Sequence, residues 1–332
     1  MRKKILIVTD NEPTQINGVV TTFKNIESYA DADGYDIVYL DPRQFYYVNA
    51  PGYSEVKLSW PWAIGAKIKA MDADYIHIAT EGPIGLAARV WLGFKGWKYN
   101  TSYHTKFPEF LKEIYNIPEY ITWQYLIWFH KHSSCILTTT ETMVADLQAH
   151  SFINKIVSWT RGVNRDNLVP SQVWLHSNIK PVVLYVGRVS KEKNIEAVCK
   201  LSNQYNVVIV GDGPQRPMLE SKYPKAYFVG YKTGTALADW YSRANVFAFP
   251  SKTDTFGIVM IEAMSLGTPV AAYPVPGPID VIESGTGYMS ENLVDAIENC
   301  LRLPRDRVKE LSSKWTWQNC WNTFKNNLVE II

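Results

Sequence analysis

The sequence predicts an α/β protein of two doubly wound, Rossmann-like domains facing one cleft. Three observations predict it. Short apolar runs alternate with helical stretches through the first half, the alternation restarts near Val182, and a polar, Pro-punctuated segment at 162–170 separates the halves. At 332 residues the chain is long enough to bury two cores.

Residues 4–9 are a continuous apolar run, as expected of a parallel strand buried on both faces. A polar loop with Asn17 and Gly18 follows, then a helix to about Tyr29. Further strands are expected at 35–40, 75–79, 99–104 and 135–139, with helices between them. In the second half, strands are expected at 182–186, 207–210, 226–229, 246–249 and 269–272, and a helix from near Phe256. The last stretch reads as helical and carries Trp315, Trp317 and Trp321. The expected organisation is an N-terminal domain over 1–168, a C-terminal domain over 169–305, and a helical segment over 306–332. Ligands of open α/β sheets bind beyond the C-terminal ends of the strands, which directs attention to the loops there.

Composition narrows the function classes. Charged residues make up 20% and hydrophobic residues 46%, the balance of a folded protein. A net charge of +2 gives no bulk field for nucleic acid, so no such partner is expected. Cys135, Cys199, Cys300 and Cys320 form no CxxC pair, consistent with reduced thiols in a cytoplasmic setting. No apolar run reaches the ~20 residues that a spanning helix needs, and the opening run is too short for a signal peptide. Aromatic content is high, at 13% with 12 tryptophans, and the stretches 91–98 and 120–131 mix aromatics with Lys and His. Such stretches build ordinary core helices or touch a membrane interface peripherally.

The chemistry concentrates at two strand ends. Arg188 and Lys193 leave the strand at 182–186, a planar fork and a mobile point charge suited to two phosphates. After the strand at 246–249 come Asp254, Thr255, Phe256, Gly257, Ile258 and, further on, Glu262. A helix opening beside a glycine offers free backbone N–H groups to an anion. Asp254 either caps that helix or accepts from sugar hydroxyls, and Glu262 suits a ribose; a glycosidase-like carboxylate pair is the alternative. Together these residues describe a site for a diphosphate carrying a hydroxyl-rich group.

Other motifs are weaker. Gly211-Asp-Gly213 is half of a dinucleotide fingerprint and more simply a tight turn. Asp31-Ala-Asp33 and Asp72-Ala-Asp74 have the spacing of a metal-binding pair, but the latter precedes its strand. No metal and no cofactor are expected. His104 ends the run 101–105 at a strand terminus and is either structural or part of the site. Glu81 opens a helix after the strand at 75–79, where it can cap or bind an acceptor hydroxyl.

Taken together, the first-loop glycine, the His after a mid-domain strand, Arg-x4-Lys and the acid-x7-Glu segment resemble the retaining family 4 glycosyltransferases of GT-B fold. Two departures stand out: the family's usual first acid is Glu where this chain has Asp254, and its Gly-Gly pair is here Asn17-Gly18. The resemblance implies a retaining, metal-independent hexosyltransferase, with an acceptor-binding domain over 1–168, a sugar-nucleotide-binding domain over 169–305, and a helix over 306–332 packing back on the first domain. It implies that Arg188 and Lys193 bind the donor diphosphate, that Asp254 and the 255–258 backbone hold sugar and phosphate, and that Glu262 holds the ribose. His104 would lie against the transferred sugar, Gly18 would admit the phosphates, and Asn17 and Glu81 would meet the acceptor. The stretches 80–85, 101–109 and 275–280 are similar to bacterial sulfoquinovosyl- and glycosyl-diacylglycerol synthases and related mannosyltransferases. That likeness implies a UDP-sugar donor and a lipid acceptor such as diacylglycerol at the cytoplasmic membrane face. A GDP-mannose or UDP-sugar transferase with a soluble or polysaccharide acceptor, a GT-B epimerase and a non-catalytic nucleotide-sugar binder are the alternatives.

Overall fold

The computed structural model describes every residue except Met1, Ile16, Pro51, Gly52, Thr105 and 172–179. Ile16 in the first loop and Thr105 at the end of the 101–105 run therefore lie outside the described residues. The chain forms two compact units, Met1–Arg161 with Trp317–Ile332, and Gly162–Thr316. The first boundary thus falls at Arg161 rather than at 168. Residues up to Thr316 stay with the second unit, so only the last part of the expected 306–332 segment joins the first.

The first unit runs β1 (Lys3–Val8), α1 (Gly18–Ala32), β2 (Tyr35–Leu40), β3 (Tyr46–Ala50), β4 (Tyr53–Trp60), α2 (Ile64–Met71), β5 (Tyr75–Ile78), α3 (Pro83–Lys95), β6 (Asn100–Tyr103), α4 (Phe107–Tyr115), α5 (Glu119–His130), β7 (Cys135–Thr138), α6 (Glu141–Ala149) and β8 (Lys155–Ser158). Its sheet has the order β2-β1-β5-β6-β7-β8, all parallel. Leu6, Val8, Ile76 and Ile78 pack on one face, among Ile84, Ala88, Leu92 and Phe129. Ile5 and Ile7, alternating with them, are equally buried, which is why β1 reads as an unbroken apolar run.

The second unit runs β9 (Val182–Val186), α7 (Glu196–Cys199), β10 (Asn206–Val210), α8 (Arg216–Lys222), β11 (Tyr227–Gly230), α9 (Gly234–Arg243), β12 (Val246–Phe249), α10 (Ile258–Ser265), β13 (Val270–Ala272), α11 (Pro278–Val281), β14 (Gly287–Met289), α12 (Leu293–Cys300) and α13 (Arg305–Leu311). Its parallel sheet has the order β11-β10-β9-β12-β13-β14. Period-two alternation sends Leu184, Val208, Phe247 and Phe249 into one core and Val183, Val207, Ile209 and Val246 into another. Both sheet faces are covered, as a doubly wound fold requires.

The chain returns to the first unit as α14 (Trp317–Asn326). Phe324 lies 5.1 Å from the Trp159 ring and 5.8 Å from Phe23, and the Trp159 indole donates to the Cys320 carbonyl at 2.9 Å. Two acids of the candidate metal pairs are engaged here and nearby. Asp33 accepts from Trp321 and Lys325, and Asp74 accepts the Lys4 amide at 2.7 Å.

Candidate active site

In the second unit the loops after β9, β10 and β12 are tied together by hydrogen bonds. Gly187 N–H donates to the Val210 carbonyl at 3.0 Å, Val189 N–H to Asp212 at 2.9 Å, and Asn194 reaches the Pro250 carbonyl at 3.2 Å. Gly211 stands at φ +138°, where a Cβ would meet the Gly187 carbonyl oxygen at 1.9 Å, so this turn holds the loops in register. Arg188 and Lys193 occupy the first loop, Lys193 closing a short 3₁₀ turn. Lys193 forms an ion pair with Asp254, each about a quarter exposed. The strand-end cation and the strand-end acid of the sequence reading are therefore brought together.

Asp254 does not cap the helix. The helix α10 starts at Ile258, two residues later than expected, because Gly257 at φ +80° fills the cap position in the left-handed region. A Cβ at Gly257 would lie 2.8 Å from the Phe249 ring, so the chain passes too close to β12 for any side chain. Thr255 and Phe256 are buried, Phe256 edge-on to Trp315 at 5.5 Å. Glu262 lies farther along the helix and accepts from the buried Tyr241 hydroxyl at 2.8 Å. Burial pushes its carboxyl above the usual range, opposed by that hydrogen bond.

In the first unit His104 follows β6. The Arg161 Nη2 donates to its Nδ1 at 3.0 Å. A guanidinium only donates, so the ring proton sits on Nε2. Burial and then the Arg161 charge hold the imidazole well below its ordinary pKa, hence neutral. Arg161 is itself lowered to about 10 by burial and lies over the Trp159 ring. The sequence reading missed Arg161; its signal was a lone Arg two residues past Trp159, just after β8.

Asp10, at the end of β1, was also missed. Burial raises its carboxyl to about 6, opposed by donors from Ile84 N–H (2.8 Å), Thr80 hydroxyl (2.7 Å) and Gly85 N–H (3.4 Å). A Cβ at Gly82 would meet that carboxylate at 2.6 Å, so glycine lets the 80–85 turn close over Asp10. Glu81 in this turn approaches the buried His130 at 3.5 Å, and its carbonyl accepts the Tyr125 hydroxyl at 2.6 Å. Asn17 caps α1, its Oδ1 accepting the Val20 amide at 3.0 Å. At Gly18 a Cβ would meet nothing within 4 Å.

One surface element was not foreseen. β3 and β4 form an antiparallel hairpin with register Tyr46↔Trp60 and Val48↔Leu58. Those four side chains point outward, while the intervening Ser59 is buried. Trp62 follows at 73% exposure, and Phe94 on α3 stands at 82%. Lys57, Lys67 and Lys95 lie beside the rings of Tyr47, Phe45 and Phe94 at 4.5, 5.3 and 5.4 Å. By contrast α5 is largely a core helix through Trp123, Leu126 and Phe129, with Tyr120, Ile121 and Trp128 exposed. Among the described residues no helix is long and apolar enough to cross a membrane.

Two family models match in tandem, Glycosyltransferase Family 4 over residues 16–167 and Glycosyl transferases group 1 over 180–306. The chain belongs to the family 4 glycosyltransferases. The transferase is 26% identical over 320 residues to a GDP-mannose-dependent alpha-mannosyltransferase of Corynebacterium glutamicum, covering 88% of this chain and 77% of the relative. It is 25% identical over 377 residues to the sulfoquinovosyl transferase SQD2 of Arabidopsis thaliana, covering 98% and 73%. Sucrose-phosphate synthase from Thermosynechococcus elongatus superposes with a TM-score of 0.77 at 20% identity, over 98% of each chain. Anabaena HepE in complex with UDP gives 0.71 at 13% identity, over 98% of each chain. These likenesses establish the transferase's GT-B fold, as the sequence reading expected.

Proposed function

We propose that this glycosyltransferase moves a hexose, with retention and without a metal, from a UDP-sugar to a lipid hydroxyl such as that of diacylglycerol at the cytoplasmic membrane face. The observation that carries the lipid reading is the hairpin's outward face. Tyr46, Val48, Leu58 and Trp60 put apolar and amphipathic rings where a soluble hairpin would put polar residues. Lys57 on β4, Lys67 on α2 and Lys95 on α3, beside the rings of Tyr47, Phe45 and Phe94, suit anionic headgroups.

On the donor side, Arg188, Lys193 and the α10 N-terminus hold the diphosphate and stabilise its growing charge as it leaves. Donor phosphate draws Lys193 away from Asp254, whose carboxylate then accepts from a sugar hydroxyl. Glu262 takes the ribose, and the neutral His104 donates through Nε2 to the transferred sugar. The acceptor oxygen forms a bond to the anomeric carbon as the carbon–phosphate oxygen bond breaks. The acceptor proton passes to the leaving diphosphate on the same face, so no enzyme carboxylate becomes a nucleophile.

A GDP-mannose donor is the second reading, favoured by the C. glutamicum relative. A thermal-shift series with UDP, GDP, ADP and their sugar conjugates separates the two, since a ligand of the native state raises the melting temperature. Flotation with anionic vesicles tests the membrane face. The Trp60→Ser/Trp62→Ser variant should lose at least about tenfold in vesicle partitioning while its nucleotide shift stays intact. Unchanged flotation would overturn the membrane reading.

A further inference from the structure

In the first unit one chain of hydrogen bonds fixes a proton's place. Ser133 Oγ donates to the Cys135 carbonyl at 2.8 Å, so its lone pairs accept from Thr101 Oγ1 at 2.9 Å. With that proton engaged, Thr101 can only accept from His130 Nδ1, 2.8 Å away. His130 therefore carries hydrogen on Nδ1, and a neutral ring would turn a bare lone pair outward at Nε2. That atom faces Glu81 Oε1 at 3.5 Å, and both atoms are sealed from solvent with no hydrogen-bond partner. Two opposed acceptors in a dry place are costly unless a proton lies between them.

We propose that Glu81 and His130 share a proton, and that this dyad positions the Glu81 carboxylate to receive the acceptor hydroxyl. The inference rests on the acceptor reading of Glu81 and adds what holds that residue in place. His130 is immobilised from both sides of its ring: Thr101 takes Nδ1, and the Phe129 ring stands edge-on at 5.0 Å. The Glu81 backbone is fixed by Tyr125, and its turn by Asp10. With Oε1 bound to His130, the carboxylate's second oxygen is the one directed to substrate. The charged and titratable groups around the pair are Asp10, Arg89, Tyr103, His104 and Tyr125. Without that proton, lone pair and carboxylate repel and Glu81 leaves its place. Acceptor affinity should then fall while donor affinity holds.

The test uses the full chain with isotope-labelled histidine. Nitrogen NMR of the His130 ring, identified by its absence in His130→Gln, should show hydrogen on both ring nitrogens in the wild type and on Nδ1 alone in Glu81→Gln. A ring with the same hydrogens in both proteins overturns the dyad. In steady state, His130→Gln keeps an N–H toward Glu81, so its acceptor KM should stay near that of the wild type. His130→Leu offers no N–H and should raise acceptor KM about tenfold with donor KM unchanged, as should Glu81→Gln, the scale of one hydrogen bond to a charged group. If the ring hydrogens change but His130→Leu leaves acceptor KM unmoved, the positioning role is overturned. A wild type that transfers to no lipid defeats the acceptor reading separately, and the NMR coupling still decides the proton.

Discussion

Lys193 and Asp254 form an ion pair between the loops after β9 and β12. Lys193→Ala should lower transfer by about 10²-fold, the scale of losing one preorganised charge. The types and strand-end positions of the two residues were legible in the sequence, because ligands of open α/β sheets bind beyond the strand ends. Their pairing was not, since it depends on how the two loops close. Asp254→Asn should split the effects: UDP binds at least as well, because Lys193 is released, while sugar transfer falls. Calorimetry with UDP beside turnover of the sugar conjugate checks this, and parallel losses would mean that Asp254 does not serve the sugar. Asp10 gives a pH prediction with a definite sign. Its folded pKa of about 6 lies above the ordinary 3.8, so folding binds its proton more tightly than the unfolded chain does. The penalty of ionising it is absent below the ordinary value and complete above about 6. Relative to Asp10→Asn, the wild type should therefore lose about 3 kcal/mol between pH 3 and pH 7, read from paired denaturation curves. A flat difference would show that Asp10 is not the buried acid described.

At the scale of elements, the parallel strands were legible because burial on both faces leaves continuous apolar runs such as 4–9 and 182–186. The β3–β4 hairpin was not, because its alternation of Tyr46, Val48, Leu58 and Trp60 with Tyr47, Asn49, Lys57 and Ser59 breaks the rule that the apolar set faces inward. The start of α10 was misread for a different reason. A helix is expected from near Phe256, but the left-handed Gly257 delays it until Ile258. The same donor turn depends on a second glycine. Gly277, at φ +95°, would bring a Cβ within 2.6 Å of the Asp254 carbonyl oxygen. Gly277→Ala should therefore displace the 254–256 turn, destabilise the fold by about 1–3 kcal/mol, and reduce the UDP-induced thermal shift. A variant with normal melting and a normal shift would show that this turn tolerates displacement.

For the whole molecule, the informative feature is that the first unit is not continuous in sequence. The expectation of a C-terminal helix returning to it placed the change at 306, whereas α13 and Trp315 belong to the second unit's core and only α14 returns. Periodicity could not find that division, since both helices are amphipathic and adjacent. What decides it is the partner of each buried aromatic. Trp315 meets Phe256, while Trp321 and Phe324 meet Tyr35, Trp159 and His77. Ending the chain after Thr316 would strip Phe324 from a buried cluster, leave the Trp159 indole N–H without its acceptor, and remove two donors from Asp33. Each loss acts on the first unit alone, and their sum exceeds the about 5 kcal/mol that many domains have to spare. The second unit keeps both faces of its sheet covered and retains Arg188, Lys193, Asp254 and Glu262. In calorimetry the truncated chain should lose the transition of the first unit and keep one that UDP compounds still raise. A truncated chain with both transitions intact would show that α14 is dispensable packing. One with neither would show that the second unit depends on the first for its fold.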